Sequence, residues 1–250
     1  MGIFGNFFRN KAREAVASVN DKPEGKFAMA VPLGLVPGSI YTVPEIELAV
    51  AQTEGSFVSN LKGDYVVKTV GKSKIFALDV YTVRFDDPTF FVQVVCTANN
   101  HKDVLQMRLF DLYKTITPQS VVDWEFWLGG VKRDESGAIM YDAMGRAIKG
   151  EPALIGYPPF QIDEPQATVY NRQWPSTVDE PQKVTELVED ATGSQTQIKH
   201  ECMEYARKLS NAKDATVEYL FVTALGDKGQ VQVYLGFDLD ITNQKIISVA

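Results

Sequence analysis

Between residues 64 and 113 the apolar positions recur with a period of two. Asp64–Val70, Lys74–Phe85, Thr89–Thr97 and Val104–Tyr113 are rich in Val, Phe, Tyr, Ile and Thr. Gly71-Lys72-Ser73, Asp86-Asp87-Pro88 and Asn99-Asn100-His101-Lys102 punctuate them. β-Branched and aromatic side chains suit a pleated, half-buried surface, so this stretch predicts an antiparallel meander with short polar turns. The last third repeats the pattern in Thr196–Leu209, Thr216–Leu225 and Gln230–Asp240, with Gly226-Asp227-Lys228-Gly229 as a hairpin turn. Ile198, Cys202, Tyr205 and Leu209 also fit a helical spacing; the segment is read as a strand.

The period lengthens at the start of the chain. Ile3, Phe4, Phe7, Phe8, Ala12, Ala15, Val16 and Val19 fall on one face of a helix, with Arg9, Asn10, Lys11 and Arg13 on the other face or its flanks. Asn20 to Gly25 ends that helix as a short linker. A second helix is expected after Thr117, with Pro118 in its first turn and Gly129-Gly130 at its end. Phe27 to Pro44 carries no charge and is about long enough to span a bilayer. Pro32, Gly34, Pro37, Gly38 and Pro44 would break such a helix, so it reads as a buried, turning coil. Six of the twelve prolines lie between Pro152 and Pro181, among Leu154, Ile155, Tyr157, Phe160, Tyr170 and Trp174. The fold class is therefore α+β and β-rich: an amphipathic helix over 1–22, then one β-rich domain over 27–250. A lobe boundary falls best near 150–180.

Composition narrows the function classes more than it selects one. Thirty-two acidic against 25 basic residues give a net charge of −7, without the basic footprint that displaces counterions from nucleic acid. Only Cys96 and Cys202 are present, which is no disulfide framework. No transmembrane segment is read, and Met1–Val19 lacks the apolar run and cleavage site of a signal peptide. The expected location is the cytoplasm, with peripheral contact at the inner membrane open.

No residue set reads as catalytic. Gly71-Lys72-Ser73 could end a phosphate-binding loop, but Val66 stands where that loop needs its first Gly. His200 and Cys202 share a strand face, and with His101 and Cys96 are the only soft ligands for a zinc site. Neither a metal nor a nucleotide cofactor is expected. No serine sits in a Gly-x-Ser-x-Gly elbow, and two histidines leave little choice of base. Tyr170, Arg172 and Trp174 alternate, so a strand puts them on one face, either as a clamp for a planar or anionic ligand or as a cation–π ladder over the sheet.

Several ordered segments resemble the bacterial YjfK-like family, a domain of unknown function. They are Pro32-Leu33-Gly34-Leu35 with Pro37-Gly38, Ile155-Gly156-Tyr157-Pro158 with Phe160-Gln161-Ile162-Asp163, Val169-Tyr170-Asn171-Arg172-Gln173-Trp174 and Tyr205-Ala206-Arg207-Lys208-Leu209. Glu218-Tyr219-Leu220-Phe221-Val222 and Val233-Tyr234-Leu235-Gly236-Phe237-Asp238-Leu239 complete the set. The resemblance covers roughly 30 to 240 and brings no catalytic residues. It implies gene neighbours for membrane-stress proteins and for polyamine-type synthesis, hence an envelope-linked role. The leading expectation is a non-enzymatic accessory protein of an envelope- or membrane-stress system. Its attachment to a protein partner or an anionic membrane would run through Ile3, Phe4, Phe7, Phe8, Arg9, Lys11 and Arg13. Docking of that helix on the protein's own acidic body accounts for the same charges. The rival is an acidic binder or enzyme for a small polycation such as a polyamine.

Overall fold

The computed structural model describes residues 27–119, 134, 136, 138, 140, 141, 143, 170–173, 181–210, 215–225 and 229–248. The helix expected over 3–19, the body of the one expected after Thr117 and most of the proline-rich stretch lie outside the described residues. The chain divides into two compact units that interleave in sequence. One holds Met1–Asp111, Val184–Ile198 and Phe237–Ala250; the other holds Leu112–Lys183 and Lys199–Gly236.

The elements in chain order are β1 (Ile40–Thr42), α1 (Glu45–Thr53), β2 (Asp64–Ile75), β3 (Leu78–Phe85), β4 (Phe90–Thr97) and β5 (Asn100–Ile116). After them come β6 (Asn171–Arg172), β7 (Gln182–Asp190), β8 (Gln195–Lys208), β9 (Val217–Leu225), β10 (Gln230–Asp238) and β11 (Lys245–Ile247). The β-rich class read from the sequence holds. The residues read as strands over Thr196–Leu209, Thr216–Leu225 and Gln230–Asp240 form β8, β9 and β10.

In the first unit the strands run in the order β11-β1-β2-β3-β4-β5, and each neighbouring pair is antiparallel. β1 covers β2 at Asp64–Val66, and β7 takes over from Thr69 to Lys72. β4 is buried from Phe90 to Cys96, which explains why it is apolar almost throughout instead of alternating. One sheet face carries an aromatic stack: Tyr41 on Phe85 at 5.3 Å and Phe85 on Phe90 at 4.7 Å between ring centroids. Tyr65 meets Phe90 edge-on at 4.6 Å. Val83, Val92, Val94, Met107 and Leu109 fill the core around them. Burying each such side chain stabilises the unit by roughly 1.5–3 kcal/mol before chain entropy is counted.

Two turns lie elsewhere than the sequence suggests. β2 runs through Gly71-Lys72-Ser73 without a break. The Gly71 Cα is approached by the Glu186 side chain, which occupies the place a Cβ would take, so the glycine marks close approach and not a turn. The actual β2–β3 turn is Phe76-Ala77, with Phe76 in the left-handed region at φ 56°. The β4–β5 turn is Ala98-Asn99, with Asn99 at φ 59°, so His101 and Lys102 belong to β5. Between Met29 and Val43 the chain is buried at Met29, Pro32, Leu35, Tyr41 and Val43 and turns at Pro32–Gly34, as the uncharged pattern indicated. β1 and α1 are additions to that reading.

In the second unit the order is β10-β9-β8-β6. β8 and β9 are antiparallel from His200↔Leu225 to Lys208↔Val217, and β6 pairs Asn171 with Ala206 and Arg172 with Tyr205. Tyr170, Tyr205, Tyr219, Leu220, Val222, Val233 and Leu235 are its buried core.

Candidate functional site

The sequence singles out Tyr170, Arg172 and Trp174 as a ladder. Tyr170 is fully buried beside β6, and its hydroxyl donates to Glu218 Oε2 at 2.7 Å. Arg207 of β8 lies over its ring, 5.3 Å from the centroid, and Arg207 Nε donates to the same Glu218 oxygen at 2.7 Å. Arg172 contributes its backbone to β6; Trp174 lies outside the described residues. Burial, then the Glu218 carboxylate, pushes the Tyr170 hydroxyl far above its ordinary range, so it stays a neutral donor. The group is a buried triad that fastens β8 and β9 to the Tyr170 segment. Arg207↔Glu218 is a directly opposed pair in the β8–β9 register, a signal visible only once that register is known.

The first unit repeats the device. Lys72 Nζ lies 2.8 Å from Asp79 Oδ2, and the ammonium sits 5.2 Å from the Tyr81 ring centroid. The Asn99 amide donates to the same Asp79 oxygen at 3.0 Å. Asp79 is fully buried, and its Oδ1 has no hydrogen-bond partner among the described residues. Burial alone would raise Asp79, but the Lys72 ammonium and the Asn99 amide outweigh it and hold the carboxyl below its ordinary value. Lys72 feels the same desolvation in the opposite sense and is held above its ordinary value by Asp79 and Tyr81. A lysine raised in this way is a poor nucleophile.

The remaining buried carboxylates of the unit are also engaged. Glu186 makes a two-pronged contact with Arg84, at 2.9 and 2.7 Å, across Gly71. Glu189 accepts the backbone amides of Ala28 and Met29 at 2.8 and 2.9 Å, fixing where the first described residues join the body. The thiols are spent on carbonyls: Cys96 donates to His101 O and Cys202 to Gln182 O, each at 3.6 Å. Burial pushes the Cys96 thiol up to about 12, out of reach of thiolate chemistry at neutral pH. His200 Nδ1 sits 3.3 Å from Thr223 Oγ1. Among the described residues, no group of three or more His, Cys, Asp or Glu side chains is placed to hold a metal ion.

The outward face of α1 has the opposite character. Leu48 and Ala51 point into the core, whereas Ile46 is 82% and Val50 52% exposed. Ile46, Ala49, Val50 and Thr53 follow the i, i+3, i+4, i+7 rule and line a shallow surface depression with Glu45 and Glu54. A helix apolar on both faces has a second surface to cover. Sequence reading misses α1 because apolar residues on both sides erase the amphipathic period. The clues it did carry are Pro44 before the first turn and Glu45 and Glu47 within it. The seven N-terminal candidates, Ile3, Phe4, Phe7, Phe8, Arg9, Lys11 and Arg13, lie outside the described residues. No described helix is long and apolar enough to cross a membrane.

The model of a protein family described as "Protein of unknown function (DUF2491)" matches residues 3–149 and 146–243, and the chain belongs to that family. No curated protein and no solved structure matches it.

Proposed function

We propose that this DUF2491 protein is a non-enzymatic interaction protein, whose β-rich body offers the outward face of α1 to a protein partner. The observation that carries the reading is the exposure of Ile46 and Val50 on a helix whose other face is already buried. Leaving two β-branched apolar side chains in water is unfavourable, and covering them with a partner recovers that area. The buried polar groups support the same reading. Asp79, Glu186, Glu189 and Glu218 are bound to Lys72, Arg84, backbone amides and Arg207 with Tyr170. These carboxylates therefore stand in the architecture and are not offered to a polycation.

The basic amphipathic N-terminal segment, with Arg9, Lys11 and Arg13 beside Ile3, Phe4, Phe7 and Phe8, is the attachment element of this scheme. The gene neighbours implied by the YjfK-like resemblance support a partner in a membrane-stress system. Affinity capture from cells tests the reading, comparing the full chain with Ile46→Asp/Val50→Asp. One stoichiometric partner, held by the wild type and lost from the variant, is expected; identical captured sets from both would refute it.

A further inference from the structure

Phe76 stands at the tip of the β2–β3 turn and is 61% exposed. Its backbone lies in the left-handed region at φ 56°, which a bulky aromatic residue rarely adopts and which glycine or asparagine fills without strain. Asn99, at φ 59° in the next turn, is that ordinary solution. A phenylalanine at 76 therefore strains the backbone and leaves apolar surface in water, two costs that a glycine would remove. The surroundings of the tip are basic. Leu78 pairs with Thr97, and Thr97 with Asn100, so the β2–β3 and β4–β5 turns lie side by side at one end of the sheet. The Asn99 amide on buried Asp79, and Lys74 Nζ on Asn99 Oδ1 at 3.4 Å, join the two turns. Residues 71–78 and 97–102 hold Lys72, Lys74 and Lys102 and no carboxylate, in a chain of net charge −7. Lys72 is taken up by Asp79, and the adjoining Asp103 accepts the Thr97 hydroxyl at 2.6 Å, whereas Lys74 and Lys102 are exposed. Burial, then the charges of Lys102 and Lys72, hold His101 below its ordinary value, as a positive local field does.

We propose that this end of the sheet is a contact site for an anionic lipid surface, with Phe76 entering the headgroup region and Lys74 and Lys102 meeting lipid phosphates. A hairpin tip is convex and has no groove to receive a side chain, so it suits a surface that deforms around it. An aromatic ring flanked by ammonium groups matches the boundary of a bilayer, where apolar and anionic groups lie within a few ångströms of each other. Each exposed lysine gains from the negative surface potential, and the ring gains from leaving water. One ring and a pair of lysines make a weak, readily reversed contact. The site is separate from α1 and does not depend on the partner proposed for that helix.

The experiment uses the full chain with a nitrobenzoxadiazole fluorophore on Ala77→Cys, next to the wedge, and as a control on Lys68→Cys; Cys96 and Cys202 are buried. Vesicles of phosphatidylcholine with about one third phosphatidylglycerol are compared with vesicles of phosphatidylcholine alone. The label at position 77 is expected to brighten and shift to the blue on the anionic vesicles and not on the neutral ones, while the label at 68 stays in water. Phe76→Gly should raise the vesicle concentration needed for half the response about tenfold, and Lys74→Gln/Lys102→Gln on the order of tenfold. Phe76→Gly should also keep the wild-type thermal transition or raise it, which separates loss of the wedge from loss of the fold. The double lysine variant leaves the turn's backbone alone and gives the answer even where Phe76→Gly unfolds. No response at 77, an equal response on neutral vesicles, or a response unchanged in the double lysine variant would each overturn the proposal. A response at 77 to a lipid-free cell extract and not to anionic vesicles would assign the tip to a protein partner and overturn it as well.

Discussion

The strand body and the outward face of α1 handle polarity in opposite ways. In the body, buried carboxylates are matched by partly exposed cations: Asp79 with Lys72 over Tyr81, Glu218 with Arg207 over Tyr170, Glu186 with Arg84 over Gly71. On α1, apolar side chains are outside and unmatched. Buried ion pairs add little net stability over apolar side chains of the same shape, because desolvation offsets their attraction. Their use here is to fix register: two join neighbouring strands, and Arg84–Glu186 spans β2 at Gly71 to tie β3 to β7. The exposed stripe does nothing comparable for the fold. Its chemistry is left over for something else.

The largest effect should come from breaking the triad. Glu218→Gln leaves Arg207 and the Tyr170 hydroxyl facing a neutral amide in a fully buried position, and a loss of ~3 kcal/mol in denaturant unfolding is expected. A loss under about 1 kcal/mol would show that the triad is solvated and the contrast with α1 overdrawn.

Gly71→Ala comes next. Its Cβ would collide with Glu186, which Arg84 holds in place. The cost should be about 1–3 kcal/mol. Adding Glu186→Ala to it should cost much less than the sum of the two single changes, and strict additivity would refute the close approach.

Asp79 gives a pH signature. Its carboxyl is held below the ordinary value of 3.8, so its contribution is complete above that value and is lost as pH falls through the depressed one. Asp79→Asn should cost about 1–2 kcal/mol at neutral pH. The gap from wild type should close as pH drops below 3.8. A gap independent of pH would mean that the Lys72 pairing is not what Asp79 supplies. The smallest effect belongs to α1: Ile46→Asp/Val50→Asp should shift stability by no more than ~0.5 kcal/mol, as exposed positions do.

Much of the strand body is legible in the sequence, because a half-buried strand writes its face into alternate residues and its ends into Gly, Asp, Asn and Pro. Phe85 to Phe90 and Leu225 to Gln230 follow that rule. What escaped was decided by residues distant in sequence. Gly71 looks like a turn until Glu186 is known to lie on it, and no local pattern announces that Arg207 of β8 meets the Tyr170 ring. The α1 stripe escaped for another reason. A helix with apolar side chains on two faces has no polar side to reveal it, which is also why it stands out once exposure is known.

The most direct measurement places a photo-reactive benzophenone amino acid at Val50, 52% exposed, and as a control at Lys68, exposed in β2, in growing cells. The expected result is one heavier adduct, of this chain with a single other protein, formed from Val50 and absent from Lys68. The same weak set of adducts from both positions would contradict the claim that the outward face of α1 is a contact surface.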